Sequence, residues 1–237
     1  HRFVKYNLRN LSSDIEFPIG VNQGTFKYVP RAMKELFDLF YRDGKITETL
    51  DAYAERGGLQ ATMQGQEMGE VNYLKEFERI TKRYKTWKDV PRAVWDRYWR
   101  TVRMSTDFRE GILRYAAFLD YLDQMERNNG RPLNFGASDP EEIMALENKY
   151  DRAYWLANEL LGAYDRVSVL GQWLRENIFP FWSWKEVNLT RFIKVLKNAS
   201  RDEQLAETVG RFALNKVRKT MGRPPIDPNA RLLKEPK

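Results

Sequence analysis

Ile178-Phe179-Pro180-Phe181-Trp182-Ser183-Trp184-Lys185-Glu186-Val187-Asn188 is the stretch that decides the fold. Proline fixes its own φ and pushes the preceding residue out of the α region, so a helix is expected to end near Ile178. A second helix can start at Pro180, because the missing N–H has no partner in a first turn anyway. The outcome is a rigid corner between two helices that carries Phe179, Phe181, Trp182 and Trp184. Aromatics at helical spacing ordinarily pack, so the corner reads first as a keystone of a helical core. Trp beside Lys also suits a membrane interface, which is the competing reading.

Downstream, Leu189, Phe192, Ile193 and Leu196 recur on one side of a helix, with Arg191, Lys194 and Lys197 on the other. Leu205, Val209, Phe212 and Ala213 predict the buried side of a last helix, which carries Lys216, Arg218 and Lys219 at its C-terminal end. Gly222-Arg223-Pro224-Pro225 closes it, and the tail over 223–237 is expected to be extended. Upstream, a helix near Val167 to Ile178 uses Leu170, Trp173, Leu174 and Ile178. Before that, Ser138 or Asp139 is placed to cap a helix whose first turn holds Pro140, Glu141 and Glu142. That helix is expected to run on through Tyr154, Ala157, Leu161 and Tyr164.

Asn128 to Pro140 is the main break and separates an N-terminal helical part (30–135) from a C-terminal one (136–222). In the first part, Phe108, Ile112, Tyr115, Leu119 and Leu122 form a short heptad seam. Asp89 with Pro91 reads as a helix start, and Glu70 to Lys85 and Val94 to Val102 as helices. Pro30 is expected to open a helix that Gly44 stops, and a shorter one around Ile46 to Arg56 ends at Gly57-Gly58. Residues 1–29 read as an extended arm. The fold class is therefore all-α, a bundle of about eight helices between an arm and a tail.

Absent residue types limit the chemistry. The chain has no cysteine and a single histidine, His1. Disulfides, zinc-thiolate sites and a cysteine nucleophile are thereby excluded, as are internal Ser-His-Asp and His-metal chemistry. Asp120, Asp123 and Glu126 put three carboxylates along one helix, but a metal or acid–base role needs a second, converging set. Gly57-Gly58 and Gly65 lack the spacing and lysine of a phosphate loop. No cofactor is implied, and an enzymatic role for the segment is not expected. No apolar run reaches the ~20 residues of a membrane span.

Charge is unevenly placed. Residues 185–237 hold 13 Lys/Arg against 6 Asp/Glu, a net of +7, while residues 1–184 hold 27 of each sign. The whole positive excess therefore follows the aromatic corner and suggests an acidic partner, DNA or an anionic membrane. Arg191, Lys194, Lys197, Lys216, Arg218 and Lys219 are the candidate phosphate or lipid contacts. A second basic stripe, Arg97, Arg100 and Arg103 with Arg109 and Arg114, is interleaved with Trp95, Tyr98 and Trp99. Asp96, Asp107 and Glu110 neutralise much of it, which favours a salt-bridged helix surface over base stacking.

Pro180-Phe181-Trp182-Ser183-Trp184 followed by Asn188 resembles the Pro-Phe-aromatic-Thr-Trp…Asn signature of a helical domain in large polyvalent proteins of tailed phages and related mobile elements. The family's preceding arginine-bearing helix is matched by Trp173-Leu174-Arg175. Its upstream Ser/Thr-to-Arg-to-aromatic pattern resembles Ser105-Thr106-Asp107-Phe108-Arg109-Glu110 through Arg114-Tyr115. The resemblance covers roughly residues 93–197. Trp182 replaces the commoner tyrosine, and Glu186 stands where a basic residue is frequent. The resemblance implies a non-enzymatic module inside a very long internal virion or ejection protein, packaged in the particle and delivered with the DNA. Starting on His1 fits a piece of a longer chain. Partners implied are other virion proteins, the rest of its own chain, and a second copy in a homo-oligomer.

Overall fold

In the computed structural model the described residues are 15–41, 46–59, 111–163, 167–178, 182–227 and 230–232. All regular structure among them is helical, as expected. The described helices are α1 (15–21), α2 (Thr25–Tyr41), α3 (Glu48–Glu55), α4 (111–127), α5 (Pro140–Ala145), α6 (Lys149–Leu161), α7 (Val169–Asn177), α8 (Trp182–Ala199) and α9 (Glu203–Thr220). The helices expected over 70–85 and 94–102, the Asp89-Pro91 start and the arginine stripe at 97–109 lie outside the described residues.

The core forms around α4. Every residue from Leu113 to Leu122 is buried, including Tyr115, Phe118 and Tyr121. A helix buried all round sits at the centre of a bundle, and the small Ala116 and Ala117 let neighbours approach closely. The heptad positions Tyr115, Leu119 and Leu122 are among the buried residues. Leu36 of α2, Leu50 and Tyr53 of α3, and Leu156 and Leu160 of α6 complete the same core.

Residues 15–29 are not an extended arm. Phe17 and Val21, four apart, are both buried from α1, and α2 begins at Thr25. Pro30 therefore stands inside α2 rather than at its start. It removes one hydrogen bond near the N-terminal end, where few are lost. The turn between α1 and α2 is fixed by Asn22, whose Nδ2 donates to buried Asp120 Oδ2 at 2.8 Å. Gln124 Nε2 donates to the same oxygen at 2.9 Å. At Gly24 a Cβ would lie only 2.6 Å from Asp120 Oδ1, so glycine there admits the carboxylate.

Glu35 joins three helices. Its carboxylate accepts from Tyr115 Oη of α4 at 2.5 Å, from Arg31 Nε at 2.7 Å and from Thr47 Oγ1 at 2.8 Å. Thr47 is also the N-cap of α3, accepting from Leu50 N. Burial works to raise the Glu35 carboxyl, yet the donors Tyr115, Arg31 and Thr47 hold it below the usual range. Burial pushes Asp120 the other way, above the usual range, and the amides of Asn22 and Gln124 only partly offset this. A depressed carboxyl contributes stability above its unfolded pKa and loses it as pH falls through the folded value; a raised one does the reverse. Glu35→Gln is expected to cost about 1–2 kcal/mol at neutral pH and to flatten the acid limb of the stability curve. Asp120→Asn is expected to raise neutral-pH stability and steepen that limb. Urea midpoints between pH 3 and 8 test both signs, and limbs of equal slope in the two variants would refute this assignment.

The single helix expected from residue 140 to Tyr164 is two helices. Asp139, rather than Ser138, caps α5, accepting from Glu141 N at 3.0 Å with Pro140 in the first turn. Asn148 then restarts the chain by accepting from Tyr150 N at 2.8 Å, a local bond that competes with continuing the helix. At the far end the described tail residues, 223–227 and 230–232, form no helix and return along α9, with Ala230 N donating to Asp227 O at 3.0 Å. Arg211 donates to the carbonyls of Asp227 and Ala230, and Asn215 Oδ1 accepts from Ile226 N.

Candidate functional site at the helix corner

Helices α7, α8 and α9 are consecutive neighbours, with α8 packed on both others. Ser168 caps α7 by accepting from Gly171 N at 2.9 Å. Glu186 of α8 completes that end. Its Oε1 accepts from Ser168 N at 3.0 Å, and its Oε2 accepts from Trp182 Nε1 at 3.1 Å. One carboxylate therefore neutralises the positive end of α7 and fixes the indole that opens α8. A Cβ at Gly171 would meet Glu186 Oε2 at 1.9 Å and Val167 Cγ1 at 2.8 Å, so the two helices touch where α7 has no side chain. Val167 and Val187 bury a small apolar contact of their own. Glu186, which departs from the pattern that the corner resembles, is the hub of the corner. Glu186→Lys is expected to cost about 2 kcal/mol and Glu186→Gln about 1 kcal/mol, with red-shifted tryptophan emission. Thermal melts and fluorescence check this, and a Lys variant as stable as the parent would refute it.

Asn188, the last residue of the signature, acts through Arg191. Its Oδ1 accepts from Arg191 Nη1 at 2.7 Å. The guanidinium lies over the Phe17 ring, 3.9 Å from the centroid, and donates from Nε to Glu159 O at 3.1 Å and from Nη2 to Leu160 O. These are terminal carbonyls of α6, which end without helical partners. Arg114, fully buried in α4, donates to the carbonyl of the C-cap, Gly162 O, at 2.9 Å and to Asn158 Oδ1 at 3.2 Å. Two buried guanidinium groups thus cap the negative end of α6. Farther along α8, Asn198 Nδ2 donates to Gly136 O and Ser138 O, tying the helix to the loop before α5.

The inward side of α8 is consequently Val187, Arg191, Val195 and Asn198. An apolar stripe ordinarily turns toward the core, and here it does not. Leu189, Phe192, Ile193 and Leu196 are 65%, 56%, 58% and 62% exposed, against 5% for Arg191. Hydrogen bonds to unpaired carbonyls decide the orientation, because leaving those buried acceptors without donors would cost more than exposing the leucines. On α7 too, Leu170 and Trp173 are exposed, as is Ile178 at its end. On α9 Leu205 is buried as expected, but Ala213 is exposed.

Of the candidate contacts, Arg191 is enclosed by protein. Lys194 Nζ stands 3.6 Å from Glu159, Lys216 pairs with Glu16 at 2.7 Å, and Arg218 donates to Pro224 O at 2.7 Å. Lys197 and Lys219 are exposed. Pro180 and Phe181, and the side chains of Arg175 and Trp184, lie outside the described residues. The carboxylates of Asp120, Asp123 and Glu126 do not converge. Asp120 faces Asn22 and Gln124, Asp123 accepts from Tyr28 and Arg127, and Glu126 pairs with Lys149. Among the described residues no group of three His, Asp or Glu side chains is arranged to hold a metal ion. None of the described helices is long and apolar enough to cross a membrane.

The sequence reading missed Ser168, Glu186, Arg114 and Phe17 as parts of the corner. Ser168 alone carried a local signal, a capping residue just before an apolar run. No family model, curated protein or solved structure matches this chain.

Proposed function

We propose that the chain is a non-enzymatic helical module that works through an exposed contact surface on its C-terminal helices. The parent we propose is a large phage virion-associated protein of the internal or ejection kind, packaged in the particle and delivered with the DNA or helping to deliver it. The outward apolar stripe of α8 carries this reading. A helix pinned by Arg191 and Asn198 keeps Leu189, Ile193 and Leu196 largely exposed, with Phe192 edge-on against Phe17 and still more than half exposed, which marks a surface made to meet something else. The corner signature supports it too, since Trp182 and Asn188 both hold neighbouring structure together.

A stand-alone nucleic-acid module is less well supported. Arg191, Arg211 and Arg218 each donate to backbone carbonyls of the chain itself. Mass spectrometry of particles of a phage encoding this chain, before and after triggered DNA release, tests the proposal. Its peptides are expected in intact particles and depleted from emptied ones. Absence from intact particles would reject the virion reading, and full retention would reject delivery.

A further inference from the structure

Four side chains of α9, Glu207, Arg211, Asn215 and Arg218, are each hydrogen-bonded to the main chain of the returning tail. Spacings of four, four and three put them in one row along the helix. Leu232 N donates to Glu207 Oε1 at 3.1 Å, and Ile226 N to Asn215 Oδ1 at 2.8 Å. In the other direction, Arg211 gives Nη1 to Asp227 O at 2.9 Å and Nη2 to Ala230 O at 2.8 Å, and Arg218 gives Nε to Pro224 O at 2.7 Å. Tail numbers rise as helix numbers fall, so the tail lies antiparallel to α9. Gly222, with φ of +67°, makes the reversal, closed by Arg223 N donating to Arg218 O at 2.8 Å.

Independently of the virion reading, we propose that this row is a binding site for an extended peptide, filled by the chain's own residues 224–227 and 230–232 as a releasable strap. The peptide is recognised through its main-chain N–H and C=O groups. Along the helix the row offers an acceptor, a pair of donors, an acceptor and a donor, and a polypeptide supplies the complementary groups at nearly every residue. All five bonds end on main-chain atoms of the tail. A tail held by packing would bury apolar side chains here. Instead Pro224, Pro225, Asp227 and Arg231 are exposed, and Ile226, Ala230 and Leu232 are only half-buried. Leu232 adds one apolar seat against Gly210, where a Cβ would stand 3.6 Å from its Cδ1.

Release follows from how little the strap buries. Hydrogen bonds near the surface exchange readily with water, and elements with few buried apolar contacts open well below the free energy of global unfolding. None of residues 224–227 and 230–232 belongs to the buried core, which centres on α4. Helix α9 is held separately, by buried Leu205 near its start and by packing on α8, so it stays in place when the strap leaves. Opening then presents the row to another extended segment. Arg211 carries most of the grip. One planar guanidinium holds two carbonyls, which the turn from Asp227 to Ala230 brings to the same side.

Hydrogen exchange of the full 237-residue chain tests release, and a labelled synthetic peptide of residues 222–237 tests the site. The amides of Ile226 and Leu232 are expected to exchange about a hundredfold or more faster than those of α4, yet at least about fivefold slower than in the free peptide. Arg211→Met should bring them to the free-peptide rate without moving the thermal midpoint. Ile226→Pro with Leu232→Pro deletes the two N–H donors and empties the row in the full chain. The peptide is expected to bind that variant at least about tenfold more tightly than the parent, whose site is filled. Adding Arg211→Met should abolish this binding. Exchange at the two amides as slow as in α4, or unfolding of the proline variant, would make the strap part of the fold and overturn the proposal. Exchange in the parent as fast as in the free peptide would overturn it from the other side. Equal binding of the peptide to the parent and the proline variant, or binding to neither, would also sink it.

Discussion

Arg191→Ala is expected to lower folding stability by about 3–5 kcal/mol. The guanidinium donates to Glu159 O and Leu160 O, and removing it leaves two buried carbonyls without these donors. Each such orphan costs about 1–3 kcal/mol. The cation also lies over the Phe17 ring, so its loss opens a void between α1 and α8 and removes a desolvated cation–π contact of about 2 kcal/mol. These terms overlap, which is why their sum exceeds the expected total. Arg191→Met separates packing from donation: it fills much of the void but restores no hydrogen bond, so about 2–4 kcal/mol of the loss should remain. Arg191→Lys keeps the charge as a point donor without the planar fork, and should fall between Met and the parent. Guanidinium unfolding followed by circular dichroism ranks the three. A methionine variant as stable as the parent would show that the carbonyl contacts contribute nothing.

The same residue marks the limit of what the sequence could tell. The spacing of Leu189, Phe192, Ile193 and Leu196 correctly predicts a helix, and the lysines in its neighbourhood correctly predict an amphipathic one. Which side faces inward is not a local property. It depends on carbonyls about thirty residues away, at the end of α6, that need donors, and no periodicity records such a need. Capping residues, by contrast, are local, and Asp139 with Pro140 was legible for that reason. The break at Asn148 was not, because the apolar period continues across it while a side chain competes for one backbone N–H. Pro30 misled in the opposite way. A proline is a strong helix-start signal, but α2 gains from the Asn22–Asp120 anchor and from burying Ala32 and Leu36, enough to start a turn earlier. Glu186 was legible only as a departure from a pattern, and its partners Ser168 and Trp182 meet through a corner whose closure is tertiary.

Gly57-Gly58 was legible as a helix stop, yet the two glycines serve different physical ends, and substitution should separate them. Gly57 has φ of +80°, the left-handed conformation that follows many helices, so Gly57→Ala is expected to cost about 1 kcal/mol of backbone strain. Gly58 has no positive φ. It donates to Tyr53 O at 3.0 Å and sits against the face of that ring, where a Cβ would lie 2.4 Å from Cε1 and Cζ. Tyr53 cannot swing away. It is fully buried, with the rings of Tyr115 and Phe118 each 5.1 Å from its own and Tyr154 at 6.1 Å. Gly58→Ala must therefore displace an aromatic cluster at the junction of α3, α4 and α6, at a cost of about 3 kcal/mol. Tyr53→Leu makes room, so the penalty for Gly58→Ala should shrink by about 2 kcal/mol in that background, whereas the penalty for Gly57→Ala should not change. A double-mutant cycle measured by urea unfolding gives both numbers. Equal penalties for Gly58→Ala in the two backgrounds would mean that the ring is not what the glycine makes space for. A coupling confined to Gly58 would mean that α3 ends where it does because the aromatic core, rather than the helix itself, allows no side chain at the next turn.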